Sequence, residues 1–245
     1  MAVSIDTVYQ RVLAFANKEQ RGYITPQDFN LFANQAQMEI FEQYFYDTNA
    51  ARRVQGNDTV HSDIDDMLQE KMQIFEDLDE QTTIAAYDTS GGAYIIPDYI
   101  YRIYRIEVGD RVCEILSAKD YRDIVNSGPL IKPSTLNRAI PPIANITGNK
   151  ISVSISGDES TRPDKVYYFK NPSVKHRASW GYVVINEKAM YDPTNSTDFE
   201  LHASEETELV YKILKYAGVS MQRQDIVQVG QSMEAITKQQ QPKIQ

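Results

Sequence analysis

Residues 25–46 constrain this fold more than any other stretch, because they open a helix cleanly and then spread apolar side chains around most of it. Thr25 suits an N-cap. Pro26 suits the first helical position, where its missing N–H costs nothing, and Asp28 sits three residues past the cap, within reach of free amides. Phe29, Phe32, Ala33, Ala36, Ile40 and Tyr44 recur on one helical stripe, and Leu31, Met38, Phe41 and Phe45 widen it beyond the usual core-facing arc, with Tyr46 as a further aromatic. A helix patterned like this either lies centrally in a bundle or shares part of its face with another subunit.

The spacing predicts a first helix over residues 4–20, carrying Ile5, Val8, Val12, Phe15 and Ala16 on one side. A third helix is expected from Ser62, with Ile64, Met67, Leu68, Met72, Phe75 and Leu78 on its apolar side. Near Gln81 the pattern changes to Tyr, Ile, Val and Thr punctuated by Gly and Pro, which reads as strands and turns. Tyr99–Val108 and Arg111–Leu116 read as a hairpin about Gly109-Asp110, and Ser117 to Asp120 as a capping box for a short helix reaching Asn126. Pro129, Pro133, Pro141 and Pro142 predict an extended connection. A second hairpin follows about Gly148-Asn149, then strands over 166–169 and 180–185, with 171–177 and 187–197 as loops. Ser204, followed by Glu205, Glu206 and Glu208, opens a last helix with Leu209, Val210, Ile213, Leu214 and Ala217 on its apolar stripe. Gly218 is a point to kink or end it before a helical stretch over 221–238 and a polar tail. The expected fold is therefore α+β. An N-terminal helical domain spans 1–80, a β-rich domain spans 81–201, and the helix within 202–245 packs back on the N-terminal helices.

Composition narrows the function. The chain of 245 residues is 42% hydrophobic and 24% charged, the balance of a globular protein, and it has no apolar run long enough to cross a bilayer and no signal-peptide pattern. Its net charge of −9 is not evenly spread: residues 1–80 hold 15 acids against 6 bases, whereas 81–245 hold 19 of each. That distribution does not indicate a basic groove for nucleic acid; the acids read first as the solvated faces of helices, and in a functional reading as a surface that repels phosphate. The single cysteine, Cys113, excludes an internal disulfide and reads as a strand residue. Three histidines, His61, His176 and His202, form no triad. The acids around His61 lack the spacing of a calcium loop. No nucleophile elbow, phosphate-cradling loop or dinucleotide fingerprint occurs, so neither catalysis nor a cofactor or metal is expected. Tyr99, Tyr101 and Tyr104 interleave with Arg102 and Arg105, a pattern that can serve single-stranded nucleic acid but reads more economically as an ordinary strand or a protein interface.

The order of parts carries a resemblance. Gly22-Tyr23-Ile24-Thr25-Pro26 and Phe32-Ala33-Asn34-Gln35-Ala36-Gln37 lead to Ile96-Pro97-Asp98-Tyr99; the hairpin over 148–155, Tyr167-Tyr168-Phe169-Lys170-Asn171-Pro172, and Asp198-Phe199-Glu200-Leu201 before a terminal helix follow. Over most of its length the chain resembles structural proteins of tailed bacteriophages, in particular the head-to-tail connectors, or adaptor and ring proteins of the neck. The resemblance implies a non-enzymatic virion protein, made in the bacterial host, that forms a twelve-fold ring below the portal and contacts further neck or tail proteins. Double-stranded DNA would pass through it without sequence-specific binding, and no membrane is involved. On this reading Phe41, Tyr44, Phe45 and Tyr46 are the candidates to meet a neighbouring subunit, and Asp58, Asp63, Asp65 and Asp66 the candidates to face the channel. Another tail or minor capsid protein, and a hydrolase acting during infection, are the alternatives.

Overall fold

A computed structural model describes residues 3–17, 24–53, 59–80, 87–88, 93–127, 140–155, 163–220, 231–232 and 235. The fold is mixed α+β, with a helical N-terminus and a C-terminal helix that returns to it. The chain forms two units, one from residues 1–74 and 172–245 and the other from 75–171.

In the first unit, α1 (Ile5–Asn17) and α2 (Pro26–Arg53) pack with α5 (Glu206–Ser220), and α3 (Thr59–Gln73) packs on α2. Thr25 caps α2 as its sequence predicts: the amide of Asp28 donates to Thr25 Oγ1 at 3.1 Å, and that hydroxyl donates to Asp28 Oδ2 at 2.6 Å. The α1 cap comes from far away, with the Ile5 amide donating to Asp198 Oδ1 at 2.9 Å. The core closes over Ile5, Val8, Val12, Phe29, Ala33, Ala36, Ile40, Phe199, Leu201, Leu209 and Ile213. Helix α5 is preceded by a 3₁₀ turn, Ala203–Glu205, capped by His202 rather than Ser204, and it runs through Gly218 without ending there.

Three expectations change in this unit. Helix α3 ends at Gln73, so Phe75 and Leu78 are not on its apolar side. Residues 172–201, expected in the β-rich part, belong with the helices. Within them, β10 (Tyr182–Ile185) pairs with β11 (Lys188–Tyr191) as an antiparallel hairpin where the sequence suggested a loop after 186. Asn186 and Glu187 make that turn at φ 51° and φ 61°, the left-handed geometry a two-residue hairpin demands. Asn-Glu in place of Asn-Gly concealed it.

The second unit holds two sheets. One has the order β1 (Glu76–Glu80), β9 (Lys165–Lys170), β4 (Ile100–Val108), β5 (Arg111–Val112); the other runs β2 (Tyr87–Asp88), β3 (Ala93–Ile95), β8 (Lys150–Ser154), β7 (Ile143–Thr147), β6 (Glu114–Leu116). Tyr94, Ile103, Ile106, Ala144, Ile151, Val153, Val166 and Tyr168 from both sheets share one core. The hairpin about Gly109-Asp110 survives for two residue pairs only. Beyond Cys113 the chain leaves that sheet, and β6 pairs parallel with β7 in the other. Helix α4 (Ala118–Val125) forms as its capping box predicts, with the Asp120 amide donating to Ser117 Oγ, and lays Tyr121 and Val125 on Ile143. The expected proline-rich crossing and the helix over 221–238 fall largely outside the described residues.

Candidate interaction surface

The first unit builds a hydrogen-bonded aromatic base and sets an apolar hairpin on it. At the centre is Trp180, the chain's single tryptophan. Its indole Nε1 donates to Asp6 Oδ1 at 3.0 Å, its amide donates to Asn30 Oδ1 at 2.8 Å, and its carbonyl accepts from Asn30 Nδ2 at 3.3 Å. Tyr9 lies 4.2 Å from the ring on one side, while Tyr182 and Tyr191 at the foot of the hairpin lie 5.9 and 5.8 Å away. Gly181 follows, where no side chain fits: a Cβ there would stand 2.6 Å from the backbone of Asn195. The Gly181 amide donates to Ser196 Oγ and its carbonyl accepts from the Asp192 amide, each at 2.9 Å. Asp192 in turn accepts from the Thr194 amide and Asn195 Nδ2, and these bonds hold its carboxyl below the usual range.

Above this base the hairpin is exposed. Cross-strand pairing puts Val183, Ile185, Lys188 and Met190 on one face and Tyr182, Val184, Ala189 and Tyr191 on the other. Val183, Val184, Ile185 and Met190 are 50–62% exposed, although strands of such composition are normally buried on at least one side. A two-stranded hairpin is marginal alone, so this one depends on the Trp180 base.

The sequence candidates fall elsewhere, and differently from one another. Phe41 and Tyr44 are 1% and 4% exposed, so the surface proposed to meet a neighbour is already covered by their own unit. Phe45 is half-buried, edge-on to Phe41 at 5.1 Å. Only Tyr46 stands out, 74% exposed. The Tyr44 hydroxyl is pushed well above its ordinary range, by burial first and then by Glu205 and Glu208, and Lys71 sits over its ring at 5.8 Å. Asp66 is exposed on α3; Asp63 and Asp65 lie on the same helix with side chains outside the described set, and Asp58 is outside it altogether.

Several polar groups turn out to hold the fold. Lys212, fully buried on α5, donates to Glu39 Oε1 on α2 at 2.7 Å and lies 3.5 Å from Glu208, while the Tyr216 hydroxyl reaches Glu39 Oε2 at 2.5 Å. Lys71 pairs with the buried Glu205 at 2.5 Å. Burial works to raise the Glu39 carboxyl, but hydrogen bonds from Lys212 and Tyr216 with the lysine charges outweigh it and hold Glu39 below 4.5. Burial pushes the Cys113 thiol up to about 12, which keeps it protonated and poorly nucleophilic near neutrality. In the other unit Tyr104 lies 5.1 Å from Phe169, and Arg105 sits 5.5 Å over Tyr167 while its Nε donates to Glu107 Oε1 at 2.7 Å. That arginine is thus already engaged by a carboxylate. His176 lies 3.6 Å from Glu200. Among the described residues, no group of three or more His, Cys, Asp or Glu is placed to hold a metal ion, and no helix is long and apolar enough to cross a membrane.

Neither a protein-family model nor a curated protein sequence matches the chain.

Proposed function

We propose that the chain is a structural virion protein, a head-to-tail connector that closes into a ring below the portal and joins capsid to tail around the DNA channel. The observation that carries this is the β10–β11 hairpin: apolar side chains exposed on both faces, on a base built to hold them still. Exposed apolar surface of this kind marks a contact with another protein. An assembly of many copies is where such a surface becomes buried, and the element order over most of the chain resembles connector proteins. The acidic excess of residues 1–80 fits the same role, since carboxylates near the channel would keep DNA from adhering as it passes. Portal above and further neck or tail proteins below are the partners this reading requires.

An amber mutation in the gene tests it. Cells infected by the mutant should yield filled or emptied capsids without tails, rescued by the chain supplied in trans. Complete tailed particles from the mutant would contradict the reading, and tails without any capsid defect at the junction would move the protein to another part of the virion.

A further inference from the structure

The hairpin faces carry more information than their exposure. Val183, Ile185 and Met190 share their face with Lys188, so one side of the arm is apolar with a cation near its tip. The turn itself is Asn186-Glu187, with Lys188 next to it, polar where a lipid-inserting tip would be apolar. Over 182–191 the arm carries Glu187 in its turn and Lys188 in β11, and Lys188 is the charge that shares the Val183 face. A fitting seat therefore pairs apolar surface with a carboxylate.

The chain supplies one on α2. Tyr46, the most exposed large apolar side chain among the described residues, lies one turn beyond Glu42, which is also exposed. Glu42 and Tyr46 are about 6 Å apart along a helix, close to the roughly 7 Å between Lys188 and Met190 along a strand. Arm and seat are also well separated. The base of the hairpin meets α2 at Gln27 and Asn30, and Tyr46 lies sixteen residues past Asn30, about 24 Å along the helix. Two complementary patches at different places on one subunit are what a head-to-tail interface needs.

We infer that the β10–β11 hairpin is the arm with which one copy of the chain holds the next, seated on the second copy's α2 with Lys188 against Glu42 and the Val183–Met190 face on Tyr46. This rests on the connector reading for its closed ring. The seated face offers three exposed apolar side chains, Val183, Ile185 and Met190, only part of one side of a standard interface, so it anchors a contact that other surface completes.

Native mass spectrometry of the full-length chain tests the inference. The wild type should form closed oligomers, and Val183→Asp with Met190→Asp should give folded monomers with unchanged Trp180 emission. Lys188→Glu and Glu42→Lys should each raise the half-assembly concentration by about fivefold, and the two together should restore it. As a second readout, Met190→Cys with Tyr46→Cys should crosslink into a ladder of multimers, the buried Cys113 taking no part. Oligomers that persist in the Asp variant would overturn the arm and leave the connector reading standing. Crosslinking of Met190→Cys alone into dimers would overturn the seat, showing arm against arm. A wild type that stays monomeric at every concentration would overturn the self-contact, while the amber phenotype judges the connector reading independently.

Discussion

Lys212 and Gly181 show how much rests on single side chains. Lys212 lies at the centre of α5 with no exposed surface, and its charge is balanced by Glu39 and Glu208. Replacing it with alanine leaves two carboxylates without their cation and should cost about 3 kcal/mol in denaturant unfolding. The pH dependence has a definite sign. Because the folded-state Glu39 carboxyl is held below 4.5, its contribution is full above the unfolded value and disappears as pH falls through the lowered one. The stability gap between wild type and Glu39→Gln should then be constant above about pH 5 and shrink under stronger acid, as read by unfolding at a series of pH values. Gly181→Ala forces a methyl against the Asn195 backbone and should destabilise the first unit by about 2 kcal/mol, with a red shift of Trp180 emission as its base opens. Neither residue was legible in the sequence. A lysine between Ile213, Leu214 and Tyr211 reads as an ordinary helix-surface charge, and its partner Glu39 is 173 residues away. Thr25, whose partners are three and four residues on, was read correctly because a cap is local.

The same division between local and distant causes governs whole elements. Helices α1, α2, α4 and α5 follow from apolar spacing, α2 and α4 also from their own capping residues, and the β7–β8 hairpin from its alternating pattern and Gly148 at φ 60°. Thr25→Ala should destabilise the first unit by about 1 kcal/mol, measured by chemical denaturation, since one cap is lost and the helix otherwise stays intact. Strand β4 hid its geometry in its sequence. Ile100, Ile103 and Ile106 recur every third residue in Ile-Tyr-Arg-Ile-Tyr-Arg-Ile, a spacing that no regular strand can keep on one face. Register shifts between Ile100 and Arg102 and again between Ile103 and Arg105 restore it, so Ile103 and Ile106 are buried while the tyrosine and arginine pairs stay outside. The triplet was the available signal for two bulges. For β10–β11 the signal was weaker, because neither Asn186 nor Glu187 is glycine and no core pattern marks a hairpin exposed on both faces. The candidate surface was thus missed for the property that makes it a candidate.

At the scale of the molecule, the α+β class and the return of the C-terminal helix were readable, whereas the division into units was not. Residues 172–201 look like strand and loop and fold with the helices, held there by Trp180 and by Asp198 on α1, contacts no local pattern announces. Charge was readable, and it carries a prediction of its own. On the connector reading, reversing Asp58, Asp63, Asp65 and Asp66 to lysine should slow DNA ejection while leaving rings intact, because carboxylates near the channel would repel phosphate across the Debye length and lysines bind it; ejection monitored by DNA-dye fluorescence reads this directly. The aromatic helix that first suggested a subunit contact is mostly core, and the large apolar side chains it leaves exposed are Leu31 and Tyr46. Electron cryo-microscopy of the head-to-tail junction should show, on the connector reading, a closed ring of this chain immediately below the portal, each β10–β11 hairpin resting on α2 of the next copy; density at that level that this fold does not fit, with the chain elsewhere in the particle or missing from it, would overturn that reading.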